Sequence, residues 1–169
     1  SFWTPSSVTP DGTSGHLIAY GTITTPNCAP PPADLIINSS PIVSSGSLVA
    51  GNTISFQAGI QNVGGTAINT SFTVQFQVDT GNDGSIDVTL SPLTSITGGN
   101  LPVDPNEAIN PVTSANWTNI PAGTHRVISC VDAPSSAIAE SNEGNNCSTA
   151  GTGVFTVAPL PLPPADLII

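Results

Sequence analysis

The chain has 169 residues, of which only 7% are charged, and its formal charge is −10 because 11 acidic residues face one basic residue, Arg126. Such a surface repels phosphate groups, which excludes nucleic acid as a partner, and the apolar runs are too short for insertion into a membrane. The abundance of Ser, Thr, Asn and Gly, with no Lys, is typical of secreted β-proteins, so we expect an extracellular, cell-surface location.

A Pro-rich motif occurs twice and divides the chain. The sequence Pro-Pro-Ala-Asp-Leu-Ile-Ile stands at 31–37 and again at 163–169. Prolines favour extended, semi-rigid linkers, and Asp-Leu-Ile-Ile has the pattern of a first strand. The absence of Met and the strand-like last residues predict that the parent protein continues. The predicted organisation is the end of a preceding repeat or a strand-donating arm (1–25), a linker (26–32), a β-sandwich (33–158), a second linker (159–164) and the first strand of the next repeat (165–169).

The N-terminal segment contains one or two strand patterns, at 16–23, without partner strands in its own vicinity. These residues are either the end of a preceding domain or an arm that completes the sheet of a neighbouring copy by strand addition. Both interpretations require a partner strand, and we expect self-association with neighbouring copies through strand sharing or end-to-end contact.

The residues between the two linkers alternate with a period of two. Apolar side chains occupy every second position in 54–60 and in 72–78, as in half-buried strands. Turn residues follow both segments, at 62–65 and at 81–84. No segment has the pattern of a stable helix. About seven short strands with such turns predict an all-β, immunoglobulin-like antiparallel sandwich. The further predicted strands are 86–90, 112–118, 124–131 and 154–157.

An acidic turn follows the second of these strands and is the candidate metal site. Asp79, Asp83 and Asp87 are spaced like ligands of a calcium loop, with Gly84 at the sharp turn. However, Leu90 stands where a bidentate Glu belongs, so an EF-hand is excluded. Two interpretations stay open, namely calcium binding by the three aspartates and a polar turn without an ion.

Three cysteines leave an odd one. Cys130 and Cys147 are close enough in sequence to close a loop, and a disulfide between them would stabilise the fold by about 3 kcal/mol. It would also place the protein in an oxidising compartment. Two buried free thiols are the alternative, because free Cys packs as a small apolar residue. Cys28 is either free or paired outside the sequence given.

Four Asn-x-Ser/Thr sequons are candidates for N-glycosylation, provided that the source glycosylates its surface proteins. A chain so rich in Asn, Ser and Thr also generates sequons by chance. The four acceptors are Asn38, Asn69, Asn116 and Asn146.

The segment 130–147 ends in Glu-Ser-Asn-Glu-Gly-Asn-Asn-Cys, and this signature resembles that of the CARDB domain. CARDB domains are extracellular immunoglobulin-like modules of bacterial and archaeal surface proteins linked to cell adhesion. The resemblance covers 33–157 and includes the Asp-Leu-Ile-Ile strand after the prolines, the Asn-Val-Gly turn at 62–64, Trp117 and Gly-Thr-His at 123–125. It implies a seven-stranded sandwich and a role in surface architecture, without catalysis.

No set of residues has the pattern of an active site. Gly-Thr-Ser at 12–14 shares one feature with subtilisin-like nucleophile motifs, but a strand pattern follows it and no catalytic base accompanies it. We therefore expect no enzymatic activity. The leading hypothesis is a structural repeat of an extracellular filament, stalk or surface fibre. The alternative hypothesis is an adhesive or ligand-binding module that binds a cell-surface or glycan ligand.

Overall fold

The computed structural model describes residues 29–163. The predicted N-terminal arm (1–25), Cys28, the motif at 12–14 and the strand at 165–169 lie outside the described residues. Within 29–163 there are strands and one 3-10 turn (Gly98–Asn100), and no α-helix. The strands are β1 (Leu35–Ser45), β2 (Ser55–Asn62), β3 (Phe72–Thr80), β4 (Val88–Thr89), β5 (Thr94–Ile96), β6 (Ala108–Thr113), β7 (Gly123–Val131) and β8 (Val154–Val157).

The strands form two antiparallel sheets. One sheet has the order β1-β2-β6, and the other has the order β4-β3-β7-β8, with β5 also pairing with β3. β4 pairs with the C-terminal part of β3 and β5 with its N-terminal part, so the two act as one interrupted edge strand. Seven strand positions result, which confirms the predicted all-β, immunoglobulin-like antiparallel sandwich.

The core lies between the two sheets and follows the alternation in the sequence. In β3 the apolar positions are buried, and the polar residues between them are half-buried. β2 is more deeply buried because it is the central strand of its sheet. The largest fully buried side chains are Phe56, Phe76, Leu35, Ile54, Ile60, Ile120, Val74, Val78, Val103, Val127, Val131 and Val157.

Two predicted strands were misplaced. The strand predicted at 112–118 is β6, which spans Ala108–Thr113 instead. It contains Pro111, and a strand at the edge of a sheet tolerates proline because one side of its backbone needs no partner. The strand predicted at 86–90 is only the two-residue β4, and β5 was not predicted.

The sandwich has two ends, which we call the base and the top. At the base the chain enters β1, where Leu35 pairs with Asn62, and β7 ends. At the top the chain leaves β8, where Val157 pairs with Gly123. The linkers therefore emerge at opposite ends of the long axis of the sandwich.

Acidic side chains occur only at these two ends among the described residues. Of the 11 acidic residues, Asp11 and Asp166 lie outside 29–163. The top carries the three aspartates of the β3–β4 turn together with Arg126, the only basic residue. The base carries Asp34, Asp104, Glu107, Asp132, Glu140 and Glu143.

Candidate functional site

The candidate calcium loop at the top begins at Asp79, the last but one residue of β3. The side chain of Asp79 is fully buried and forms an ion pair with Arg126 on β7, with 3.2 Å between Oδ2 and Nη2. The same carboxylate accepts the backbone N–H groups of Asp83 (2.9 Å) and Gly84 (3.0 Å). Asp79 thus fixes the turn from inside, and Arg126 neutralises its charge.

The other two aspartates are also engaged by the loop. Asp83 accepts the N–H of Ser85 at 2.9 Å. Asp87 accepts hydrogen bonds from the hydroxyl (2.6 Å) and the N–H (2.7 Å) of Thr80. Both bonds lower the pKa of the Asp87 carboxyl, and the bond from the hydroxyl has the larger effect. The carboxylates therefore stabilise the turn itself.

Metal binding at the top would require the three aspartate carboxylates to converge on one ion. Within 29–163, the side chains of His, Cys, Asp and Glu nowhere form a group of three or more that converges as metal ligands. The loop contains Asp79, Asp83 and Asp87 on one turn, but each contacts different backbone groups. Calcium binding by this loop stays a prediction.

A buried aromatic cluster lies beneath the top. Trp117 is 7% exposed and packs edge-on against His125, with ring centroids 5.4 Å apart. Phe56 and Phe155 complete the cluster. His125 contacts the carbonyl oxygen of Pro121 through Nε2 at 3.0 Å, so Nε2 carries the proton. Trp117 is therefore a core residue and not part of the surface.

The base is built around the end of β7 and the loop that follows it. Cys130 and Cys147 form the disulfide predicted from the sequence. Next to it, the buried carboxylate of Asp132 accepts the N–H groups of Ala137 (2.9 Å) and Ile138 (2.8 Å). The disulfide and Asp132 together fold the loop into a compact corner beside the start of β1.

The signature at 140–146 holds the start of β1 in place. Asp34 accepts hydrogen bonds from the hydroxyl of Ser141 (2.9 Å) and the side-chain amide of Asn145 (2.8 Å). Glu140 accepts the N–H of Leu35 and, at 3.0 Å, the side-chain amide of Asn146. These contacts could not be predicted from the sequence because the two segments are about a hundred positions apart, although both belong to the patterns that resemble CARDB.

Electrostatic conditions at the base differ from those at the top. Glu140 is half-buried, and burial raises the pKa of its carboxyl. The negative charges of Glu143 and Asp132 raise it further, while the hydrogen bonds from Leu35 and Asn146 act in the opposite direction. No basic side chain among the described residues lies at the base to compensate these charges.

The sequons differ in accessibility. Asn38, Asn69 and Asn116 are exposed, so a glycan on any of them would project into solvent. Asn146 is only 8% exposed, and its amide nitrogen, the atom that a glycan would modify, binds Glu140. In the folded domain the amide of Asn146 is therefore less accessible than those of the other three acceptors, and glycosylation at the four sequons stays a prediction.

The described residues contain no helix of the length and apolarity that crossing a membrane would require. Within 29–163 the single histidine, His125, forms hydrogen bonds with backbone groups of Gly81 and Pro121. The hydrogen-bonded side chains at the top and at the base stabilise loops and the entry of the chain into β1.

The family model CARDB matches residues 32–150. Among solved structures, the chain is similar to the crystal structure of the CARDB domain of a Pyrococcus furiosus protein in complex with di-metal ions, with 20% identity over 76% of this chain and 94% of that chain and a TM-score of 0.45. The solution NMR structure of the same domain gives 20% identity, coverage of 75% and 95%, and a TM-score of 0.45.

A more distant similarity involves an enzyme. A β-glucosidase from Listeria innocua, in complex with glucose, shows 14% identity over 75% of this chain but only 16% of its own, with a TM-score of 0.37. No curated protein matches the chain.

Proposed function

The chain belongs to the CARDB family of surface modules related to cell adhesion, and we propose that it is a structural repeat of an extracellular filament, stalk or surface fibre. In this proposal, copies of the sandwich are linked end to end by Pro-rich segments. CARDB is a non-catalytic domain family, so the proposal assigns no chemistry to the domain.

The observation that carries the proposal is the position of the two linkers. The chain enters the sandwich at the base, where Pro31 and Pro32 bind the β2–β3 loop through Thr66 and Gly65. It leaves at the top after Val157. Because the same Pro-Pro-Ala-Asp-Leu-Ile-Ile sequence leads into β1 and occurs again after β8, successive copies would align along one axis.

Edge strands offer a way for copies to share strands. β8 has four residues and forms one edge of the larger sheet, and β6 forms an edge of the smaller one. An unpaired strand edge presents N–H and C=O groups to an added strand. We propose that residues 1–25 of a neighbouring copy supply such a strand.

The composition supports a durable external polymer. The disulfide between Cys130 and Cys147 is of a kind that persists in oxidising compartments. With no Lys and a single Arg that is paired with Asp79, the chain also offers almost no sites to trypsin-like proteases.

The alternative, a glycan-binding module, has less support among the described residues. Glycan-binding surfaces commonly need exposed aromatic rings. The aromatic side chains in 29–163 are buried or half-buried, and Trp117 belongs to the core.

Electron microscopy of the native cell-surface material, with helical reconstruction, tests the proposal. We expect uniform fibres with one sandwich per repeat and density for a strand that passes between neighbouring copies. A parallel sample treated with EDTA tests for bound cations, since their removal should reduce the order of the fibres. Isolated monomers that bind a cell-surface ligand would contradict the filament and favour the adhesive module.

A further inference from the structure

We propose that residues 163–169 of one copy bind a second copy of this chain at the surface that residues 31–37 occupy in the structure. We call this surface the entry site, and it is formed by the β2–β3 loop at 62–66 and the signature loop at 140–145. The segment 163–169 repeats all seven residues of 31–37, so the two segments present the same groups to the entry site. This donor is distinct from the N-terminal arm at 1–25.

The entry site binds the two prolines of the motif through their backbone. The carbonyl oxygen of Pro31 accepts the hydroxyl of Thr66 (2.7 Å), and that of Pro32 accepts the N–H of Gly65 (3.1 Å). Gly64 and Gly65 approach the prolines so closely that a Cβ atom on either glycine would clash with them. The β2–β3 loop is therefore shaped to accept a Pro-Pro pair.

The Asp-Leu pair of the motif is held by side chains and by burial. Asp34 accepts hydrogen bonds from Ser141 (2.9 Å) and Asn145 (2.8 Å), and its N–H donates to Oδ1 of Asn62 at 3.2 Å. The side chain of Leu35 is fully buried in the core. The second copy of the motif contains the same aspartate and the same leucine, so it can form each of these contacts.

The end of the repeated motif coincides with an irregularity in β1. Residues 35–37 pair regularly with 60–62, and the register shifts between Ile37 and Ser39. Such an irregularity disrupts the hydrogen-bond ladder locally, so the pairing on its two sides is less strongly coupled. Residues 31–37 therefore form a separable unit, which an identical segment can replace while the later part of β1 stays paired with β2.

The residues that lead into the donor segment lie in solvent at the opposite end of the molecule. Leu160 is 65% exposed and Leu162 is 90% exposed, and both follow β8 at the top. The prolines that alternate with them favour an extended linker, which leads the chain away from its own sandwich. The entry site of the same copy is already filled by 31–37. The motif that follows the linker is therefore available to a neighbouring copy.

Exchange of one segment for an identical one preserves the contacts of the entry site. The incoming segment competes with a tethered one, whose effective concentration is on the order of millimolar, and swaps of this kind are otherwise low in cost. Because the donor lies at the top and the entry site at the base, the contact is head-to-tail and propagates as an open array unless rotation between copies closes a ring. The use of this exchange for building a fibre rests on the proposed function, whereas the exchange itself does not.

Paramagnetic NMR between two molecules tests the exchange. The ¹⁵N-labelled full chain is mixed with an unlabelled full chain that carries a nitroxide at position 162 (Leu162→Cys), both with Cys28→Ser, so that any broadening reports contact between copies. At about 2 mM, on the order of half of the entry sites should be exchanged. The amide signals of Gly65 and Thr66 should then broaden, because position 162 corresponds to the residue before Pro31. Unchanged signals there, or broadening confined to another surface, would overturn the proposal.

Two variants of the nitroxide-carrying chain separate the exchange from unspecific contact. Leu167→Ala truncates the counterpart of the fully buried Leu35, so the affinity of the donor for the entry site should fall about 30-fold or more. Leu160→Ala, the same change outside the motif, should leave it unchanged. Neither position lies in a strand of the sandwich, so the fold of both copies is preserved. Equal broadening by the two variants would refute the exchange, whereas fibres whose copies are joined in another way would leave the proposed filament intact.

Discussion

At the scale of single residues, Asn62 connects more of the base than any other polar side chain. It is fully buried, and its Oδ1 accepts the N–H groups of Asp34 (3.2 Å) and Gly64 (3.1 Å). Its Nδ2 donates to the carbonyl oxygens of Thr66 (2.9 Å) and Val103 (3.1 Å). One side chain therefore joins the residue before β1, the β2–β3 loop and the segment before β6.

Replacing this residue should be costly. Asn62→Ala removes four hydrogen bonds and leaves buried backbone groups without partners, so we expect a loss of about 3 kcal/mol or more in the free energy of unfolding. Urea denaturation followed by circular dichroism measures it. Asn69→Ala is the matched control, because Asn69 is exposed and makes one long contact of 3.5 Å. Similar losses in the two variants would contradict the assigned role.

Single residues also show how far the sequence could predict the site. The Asn-Val-Gly turn was predicted, but the partners of Asn62 come from three separate segments, which no local pattern identifies. Asp79 was predicted as a possible ion ligand on a polar turn. It is buried instead, because it lies directly opposite Arg126 in the pairing of β3 with β7. Cross-strand neighbours of this kind depend on register, which the sequence alone left open.

At the scale of elements, the alternating apolar pattern predicted the interior strands of the two sheets most accurately. β2 and β3 are central strands, and their apolar periodicity indicated both their position and which of their side chains face the core. β5 and β6 lie at edges and contain or adjoin prolines, so burial constrains them less and their patterns are weak. The long β1 extends to Ser45 through an exposed, Ser-rich stretch with irregular pairing, which resembles a loop in sequence.

The disulfide is the element-level feature with the clearest energetic prediction. It closes a loop with a sequence separation of 17, for which restriction of the unfolded chain predicts about 3 kcal/mol of stabilisation. The double variant Cys130→Ala, Cys147→Ala should lose this amount in urea denaturation. Reduction of the unmodified protein should give a similar loss and should not affect the double variant. Unchanged stability of the double variant would show that the loop is held by Asp132 and its hydrogen bonds alone.

At the scale of the whole molecule, the charge distribution is polarised along the axis that joins the linkers. The two sheets carry no acidic residue on their exposed middle faces, and the carboxylates gather at the base and the top. In an end-to-end array, the top of one copy would meet the base of the next, and both are negative. Repulsion between them favours an extended arrangement, which salt would screen.

The clustering of carboxylates at the base also affects how the stability of the fold depends on pH. Glu140 has a pKa raised above its ordinary value of 4.5, so the folded state binds its proton more tightly than the unfolded state does. Its ionisation therefore destabilises the fold, and stability should rise as the pH falls from neutrality toward 4.5. Asp87 has a pKa below its ordinary value of 3.8. Its contribution to stability is present above 3.8 and is lost as the pH falls through its lower, folded-state value.

Differential scanning calorimetry in EDTA, from pH 7 to pH 2, should therefore show a melting temperature that increases on mild acidification and decreases again in strong acid. Glu140→Gln should flatten the increase above pH 4.5 because the group no longer titrates. Asp87→Asn should leave that increase intact and weaken the decrease at low pH. A melting temperature that falls steadily from pH 7 to pH 4.5 would mean that the compensating hydrogen bonds of Glu140, and not its burial and its acidic neighbours, dominate at the base.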